Sequence, residues 1–393
     1  MTEVVISSAA RTAIGSYGKS LKDVPPTELG AIATREALRR AEVEPEQVEH
    51  VVFGNVLHTE TKDMYMARVV GMNAGIPKET PAFTVNRLCG TGVQAIVSAC
   101  QSVQTGDARV AVAGGAESMS RGPYWVPNAR WGARMGDTAV LDPVQGSLKD
   151  PFHDILMGVT AENLAERHGI SRDEQDAFAV ESHRRASAAQ QAGKFADEIV
   201  GVPVKAKRET VEFDADEHIR HDASPEQMGK LKPIFKAQDG TVTAGNASGM
   251  NDAGAALVLM DADRAAELGA PVRARIAAYA MCGVEPEYMG IGPVPAVRKA
   301  LDRAGRTLDE VGVIELNEAF AAQALAVIKE LDLDPAKVNP NGGAVALGHP
   351  IGATGAAITA KCLYEMEREG HELGLVTLCI GGGQGIALLL EAA

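Results

Sequence analysis

Phe83 to Val103 reads FTVNRLCGTGVQAIVSACQSV. An apolar opening turns polar at Asn86-Arg87, and Cys89 then stands before Gly90-Thr91-Gly92 and a run of small and apolar residues. This order predicts a strand end, a glycine turn and a small-residue helix from Cys89 to Val103. Outward from it, strands are predicted at Val4 to Ser7, at Val51 to Phe53 and at Val110 to Ala113, the last ending in Gly114-Gly115. A helix is predicted from about Thr27 to Arg40, with Leu29, Ile32, Ala33, Ala37 and Leu38 on one face and Thr27 as its N-cap.

The same succession returns later in the chain. Ala37-Leu38 recurs as Ala300-Leu301, Ala41 as Ala304, Val48 as Val311, Val51 as Ile314 and Thr91-Gly92 as Thr354-Gly355; both 300 − 37 and 354 − 91 equal 263. A constant interval over that much chain implies two related α/β halves packed together. The expected division is an N-terminal half over 1–119, completed by about 250–270, and a C-terminal half over 271–393. Between them, 120–249 holds both tryptophans, seven prolines and a charged run from Arg208 to His221, and reads as an inserted loop domain. One helix is predicted in it, from about Ser171 to Ala192, opened by the capping box Ser171 and Glu174.

Composition narrows the function. A chain of 393 residues suits two or three domains, and 46% hydrophobic with 23% charged residues is an ordinary globular balance. Lys plus Arg number 38 against 52 Asp plus Glu, a net charge of −14 that argues against a nucleic-acid partner. The five cysteines are scattered and never CxxC, which points to free thiols in a reducing compartment rather than disulfides or a metal site. No secretory leader or targeting tripeptide is read at the ends, so the expected location is cytoplasmic. The apolar stretch Gly374 to Leu390 is cut by Gly381, Gly382, Gly383 and Gly385, and fits two buried strands around a turn better than a membrane span.

Four stretches could carry chemistry. Cys89 at a helix start would feel unpaired N–H groups that favour thiolate and lower its pKa; the alternative is a small buried residue. Gly90 to Ala95 also matches a GxGxxA dinucleotide fingerprint, but Asn86-Arg87 is too polar for a central strand and no acid follows at the required distance. His349 lies within NPNGGAVALGHPIGAT (Asn339–Thr354), where glycines permit close approach to a ligand, and it is the best base for a thiol in the chain; a packing loop is the alternative. Cys379 ends a predicted strand, Leu375 to Leu378, and precedes Gly381-Gly382-Gly383, whose N–H groups could face an oxyanion; a buried strand cysteine is the alternative. Asn317-Glu318 follows the predicted strand Val313 to Leu316, either as a helix cap or at a ligand-collecting sheet mouth.

Together NRLCGTG at Cys89, NEAF at Asn317, GHPIGATGA at His349 and CIGGGQG at Cys379 resemble the thiolase family, in its order and spacing. GAESMS from Gly115, MGVTAEN from Met157 and AGNASGMND from Ala244 extend the likeness over nearly the whole chain. The resemblance implies a thiolase fold of two βαβαβαββ halves and an acyltransferase using coenzyme A thioesters, with no metal and no redox cofactor. It implies Cys89 as acyl acceptor, His349 as its activator and Cys379 as acid and base. Asn317 with a water, together with His349, would stabilise an enolate, and the N–H groups of Cys89 and Gly381 would hold the thioester oxyanion. For acetyl-CoA, acyl-CoA and free CoA it implies contacts at Ser248, Arg220, Met157, Phe235, Met289, Ala244 and Phe320, with Leu156 beside the acyl group. Family analogy also implies a homotetramer.

Two positions depart from the family pattern. Leu156 stands where acetoacetyl-CoA-type relatives commonly have histidine, and Ala357 where arginine often follows GHPIGxxGA. Rival readings are a ketoacyl-synthase-like or hydroxymethylglutaryl-CoA-synthase-like enzyme of the same fold, and a non-catalytic acyl-CoA-binding protein. The second thiol argues against the first, and the presence of Cys89, His349 and Cys379 together argues against the second.

Overall fold

The structure, a computed structural model, describes residues 2–206 and 209–393, so the start of the charged run at Arg208 lies outside the described residues. The first strand is longer than its sequence signal: β1 (Val4–Thr12) is buried along its whole length. Helix α1 (Pro26–Ala41) corrects the expected cap, because Pro25 precedes the helix and Thr27 lies buried in its first turn. Proline's fixed φ suits that first turn, where its missing N–H costs nothing. Strand β2 (His50–Gly54) and the short β3 (Ala82–Val85) follow.

Helix α2 is an α-helix over Thr91–Gln104 only; Leu88–Gly90, with Cys89 at its centre, is a separate 3-10 turn. Leu88 takes the left-handed φ of 47°, which breaks the backbone out of the preceding strand direction. Strand β4 (Val110–Ser118) runs through Gly114-Gly115 rather than ending there. Those glycines serve packing, since a methyl group at Gly114 would strike Ala255 and one at Gly115 would strike the carbonyl of Gly352.

The inserted segment contains a helix the sequence reading missed, α3 (Met157–His168), before α4 (Arg172–Gln191). The capping box of α4 forms as expected, with Ser171 N–H donating to Glu174 Oε2 at 2.6 Å and Glu174 N–H to Ser171 Oγ at 3.3 Å. Trp125 and Trp131 are both exposed. The chain then returns to β5 (Asn251–Asp261), β6 (Ala274–Gly283), α5 (Pro293–Ala304), β7 (Val313–Leu316), α6 (Ala321–Leu331), α7 (Ile351–Glu369), β8 (Leu373–Ile380) and β9 (Gln384–Ala392). Cys379 therefore lies inside β8, and Gly382 and Gly383, at φ of 80° and 81°, make the turn into β9.

These strands form one ladder in the order β7-β8-β9-β6-β1-β5-β4-β2-β3, with Gly15–Ser16 and Ile199–Val200 paired off it. The order β2-β4-β5-β1 is mirrored by β7-β8-β9-β6, with the same parallel and antiparallel senses. His50 and Val313 open one equivalent pair, Val110 and Leu373 another, and both pairs keep the interval read from the sequence. Within the sheet, the described residues join the halves through two register pairs, Val5 with Arg275 and Ile6 with Ala274.

What joins them is the pair α2 and α7 in the largest apolar cluster, where Val93, Ile96 and Val97 pack with Ala356, Ala360 and Leu363. Gly92 and Gly355 face each other at the crossing: a methyl group on either would run into the other helix's backbone. Small residues thus bring the two helices close, and with them the segments at their N-terminal ends, which carry Cys89 and His349.

Candidate active site

Those ends open on a cavity of about 470 Å³. Cys89, His349 and Gly381 line it together with Leu156, Met157, Phe235, Ala244, Ser248, Met289 and Phe320. Cys379 is fully buried, packed with Met157, Met289 and Phe320 in the layer directly behind the wall. Asn317 is also buried and reaches the site through His349. Arg220 is the exception among the expected contacts: it is exposed, lies outside the lining and donates its backbone N–H to His183 Nδ1 at 3.1 Å. The expected apolar wall is therefore assembled, and the expected cation is not part of it.

Two backbone donors face the Cys89 sulfur, its own N–H and that of Gly381. They do not produce the low pKa expected from a helix start. Burial dominates and pushes the Cys89 thiol up to about 11, with the Glu117 carboxylate adding to the rise. Cys89 sits ahead of α2 in a 3-10 turn, and loss of water outweighs the helix end there. Cys379 is also pushed up, first by burial and then by the neighbouring Cys89.

His349 is held in one tautomer by a chain of bonds. The single hydroxyl proton of Thr354 goes to the carbonyl of Pro350 at 2.8 Å, so at 2.6 Å His349 Nδ1–H must donate to Thr354 Oγ1. That leaves Nε2 with its lone pair, and Asn317 Nδ2 approaches it as a donor at 3.5 Å. Burial lowers the His349 pKa to about 4, so the ring is neutral and able to accept a proton. Asn317 Oδ1 is buried and has no hydrogen-bond partner among the described residues, a state that favours a polar guest.

The surrounding chain explains this precision. Asn251 accepts the His349 backbone N–H at 3.0 Å and donates to the carbonyl of Gly15, and Met250 bridges His349. Ala247 bridges Phe320, and Ser248 N–H donates to Ala319, which stitches the inserted segment to the start of α6. Phe320, not Asn317, is the N-cap residue of that helix, so the sheet-mouth reading of Asn317 holds over the capping one. Phe235 and Phe320 meet edge to face with centroids 6.1 Å apart.

The sequence reading missed several contributors. Thr354 appeared only as part of the repeat, yet it fixes the histidine tautomer. Glu117 accepts N–H groups of Val56, Leu57 and Gly352, tying β4 to the start of α7. Leu148 and Ile351 complete the apolar lining. A polar residue in the chain GAESMS was the only sign of Glu117, and Leu148 lies in a stretch with no periodic pattern at all.

Comparison with known proteins defines the class. The profile of the thiolase N-terminal domain matches residues 4–263, and that of the thiolase C-terminal domain matches 270–392. A beta-ketothiolase of Cupriavidus necator, BktB, is 59% identical over 389 residues, covering 99% of each chain. The crystal structure of the Bacillus anthracis acetyl-CoA acetyltransferase superposes with a TM-score of 0.98 at 47% identity, covering 100% of this chain and 99% of that one. That of the human mitochondrial 3-ketoacyl-CoA thiolase in complex with CoA gives 0.97 at 46% identity, covering 100% and 98%. The chain belongs to the thiolase family, whose members are acyltransferases. The synthase-like and non-catalytic readings are not favoured by these relatives.

Proposed function

We propose that the protein catalyses reversible Claisen condensation of acetyl-CoA with an acyl-CoA, and thiolysis of β-ketoacyl-CoA, through an acyl-Cys89 intermediate. One observation carries the reading: Cys89, with two N–H groups facing its sulfur, shares a cavity with a histidine whose Nε2 is unprotonated, and a second thiol lies behind them.

The resting pair is a neutral thiol and a neutral imidazole. As the sulfur of Cys89 attacks the thioester carbonyl, its proton passes to His349 Nε2 and the N–H groups of Cys89 and Gly381 receive the oxyanion. The carbon–sulfur bond to CoA then breaks, and CoA departs with the proton from His349. Acylation leaves Cys89 unable to ionise, so a Cys89 thiolate cannot oppose ionisation of the second thiol in the step that follows. Cys379 gives its proton to His349 Nε2, and the resulting thiolate takes the α-proton of a second acetyl-CoA, whose enolate oxygen is met by Nε2–H of the protonated His349 and a water on Asn317. Its carbon attacks the acyl group, the new carbon–carbon bond forms and Cys89 leaves as thiolate, which takes the proton back from His349. Thiolysis is the reverse. Two thiols and an imidazole move every proton, so the chemistry requires no metal and no redox cofactor.

The apolar wall of Leu156, Leu148 and Ile351 supports acyl groups longer than acetyl. Comparable turnover of four-carbon and five-carbon β-ketoacyl-CoA is expected, and strict preference for the four-carbon substrate would sink that reading. Ser248, Ala244, Phe235, Phe320, Met157 and Met289 are proposed to hold the pantetheine arm, and Arg220 to meet the adenine and phosphates beyond the cavity mouth. A division into two halves and an inserted domain, cytoplasmic action in fatty acid or other lipid metabolism, and a homotetramer with contacts around Trp131 complete the proposal. None of the helices in the described residues is long and apolar enough to cross a membrane.

The deciding experiment is a mass spectrum of the intact protein after brief exposure to acetyl-CoA, followed by peptide mapping. One acetyl adduct on the Cys89 peptide is expected. No adduct, or an adduct confined to Cys379, would overturn the assignment.

A further inference from the structure

Behind His349, away from the substrate cavity, lies a small internal space of about 20 Å³ bounded by Arg11, Glu315, Asn317, Ala357 and Lys361. Glu315 is the penultimate residue of β7, two before Asn317, and its side chain is almost wholly buried. Lys361 on α7 is buried with it and donates from Nζ to Glu315 Oε2 at 2.9 Å and to the carbonyl of Gly342 at 2.7 Å. Arg11, the other cation on this space, is already engaged by Asp216 and Glu198. Ala357, one turn earlier on the same face of α7, contributes only a methyl group. Glu315 Oε1 has no partner among the described residues, and the space is large enough for one water.

We propose that Lys361 is a positioning residue of the active site, whose ammonium locks the β7 end that carries Asn317 onto the Asn339–Gly348 loop. Two buried groups from separate segments converge on Nζ, and the segment they fix leads straight into the 3.5 Å approach of Asn317 to His349. Asn339 reinforces the same junction by accepting Leu316 N–H and donating to the Leu316 carbonyl. His349 has anchors of its own in Thr354 and Asn251, so loss of the ammonium displaces Asn317 and leaves the base in place.

The inference rests on the proposed role of Asn317 in enolate stabilisation, so the test carries that role as its control. Lys361→Met removes the charge at nearly constant shape. The paired variant Lys361→Met with Glu315→Gln does so without stranding a buried carboxylate, and it decides the matter if the single variant does not fold. Each is measured for the rate of Cys89 acetylation by acetyl-CoA and for turnover of acetoacetyl-CoA and CoA. Turnover is expected to fall about 10- to 100-fold with acetylation unchanged within about twofold, because a misplaced group costs only the step that uses it. Asn317→Ala should show the same split. An equal fall of both rates in the Lys361 variants, or no fall in either, overturns the positioning role while leaving that of Asn317 standing. If Asn317→Ala itself shows no split, the enolate assignment fails and the inference with it.

Discussion

The segments at Cys89 and His349 occupy equivalent places in the two halves, and the threonines Thr91 and Thr354 that follow them have diverged in what they hold. Thr91 accepts the backbone N–H of Arg87 at 2.8 Å and shapes the turn that presents Cys89. Thr354 accepts a hydrogen bond from Nδ1–H of His349 at 2.6 Å and donates its own hydroxyl to the Pro350 carbonyl at 2.8 Å. One duplicated framework thus uses the same hydroxyl for backbone geometry in the first half and for side-chain chemistry in the second. The equivalent strands, helices and glycines keep the two segments close, and the differences between them supply a thiol on one side and an imidazole on the other.

The comparison can be broken at several points. Cys89→Ala should remove at least about 10⁴-fold of turnover while folding and CoA binding persist, since the sulfur forms the covalent bond that no neighbour can replace. Cys379→Ser should keep acetylation of Cys89 near its normal rate and slow condensation severely; equal loss in both half-reactions would mean the two thiols do not divide the work as proposed. Thr354→Val should cost about 10- to 100-fold in turnover, because the tautomer is no longer held, as with other groups that orient a functional imidazole. Thr91→Val should instead lower stability by about 1 kcal/mol with a modest effect on rate, the loss of one hydrogen bond. Equal kinetic penalties at the two threonines would end the claim that their roles have diverged.

The protonation state offers a finer probe. With the Cys89 pKa raised to about 11, the thiolate fraction of the free enzyme should climb close to tenfold for each pH unit from 7 to 10, and iodoacetamide labelling of Cys89 should follow. A plateau near neutral pH would instead reveal a thiolate–imidazolium pair. A last test concerns the framework rather than the chemistry. Gly92→Ala forces a methyl group against the backbone of Ala356 and should destabilise the fold by about 1–3 kcal/mol, read as a lower melting temperature.

Much of the site was legible from residue order. Cys89, His349 and Gly381 meet on one cavity with Ser248 and the apolar residues expected around it, because each stands at a strand or helix end marked by glycines. The repeat interval also survives in the observed strands, since side-chain periodicity and helix length are local consequences of sequence. Arg220 lies outside the cavity lining, because nearness of positive charges along the chain says nothing of which surface they face. The helix at Met157 was hidden by its place inside a proline-rich insertion, and the strand through Gly114-Gly115 by glycines that read as breakers when taken alone.

By itself the sequence determined the two-fold α/β plan and the residue types available for acyl transfer, because these rest on local patterns and on covalent chemistry. Only the tertiary structure decided the protonation states and the partners. Burial, which sums over neighbours from every segment, raises the Cys89 thiol and keeps His349 neutral. The contacts of Thr354 with His349 and of Lys361 with Glu315 likewise join groups whose alignment depends on helix packing and strand register, and no local propensity encodes those.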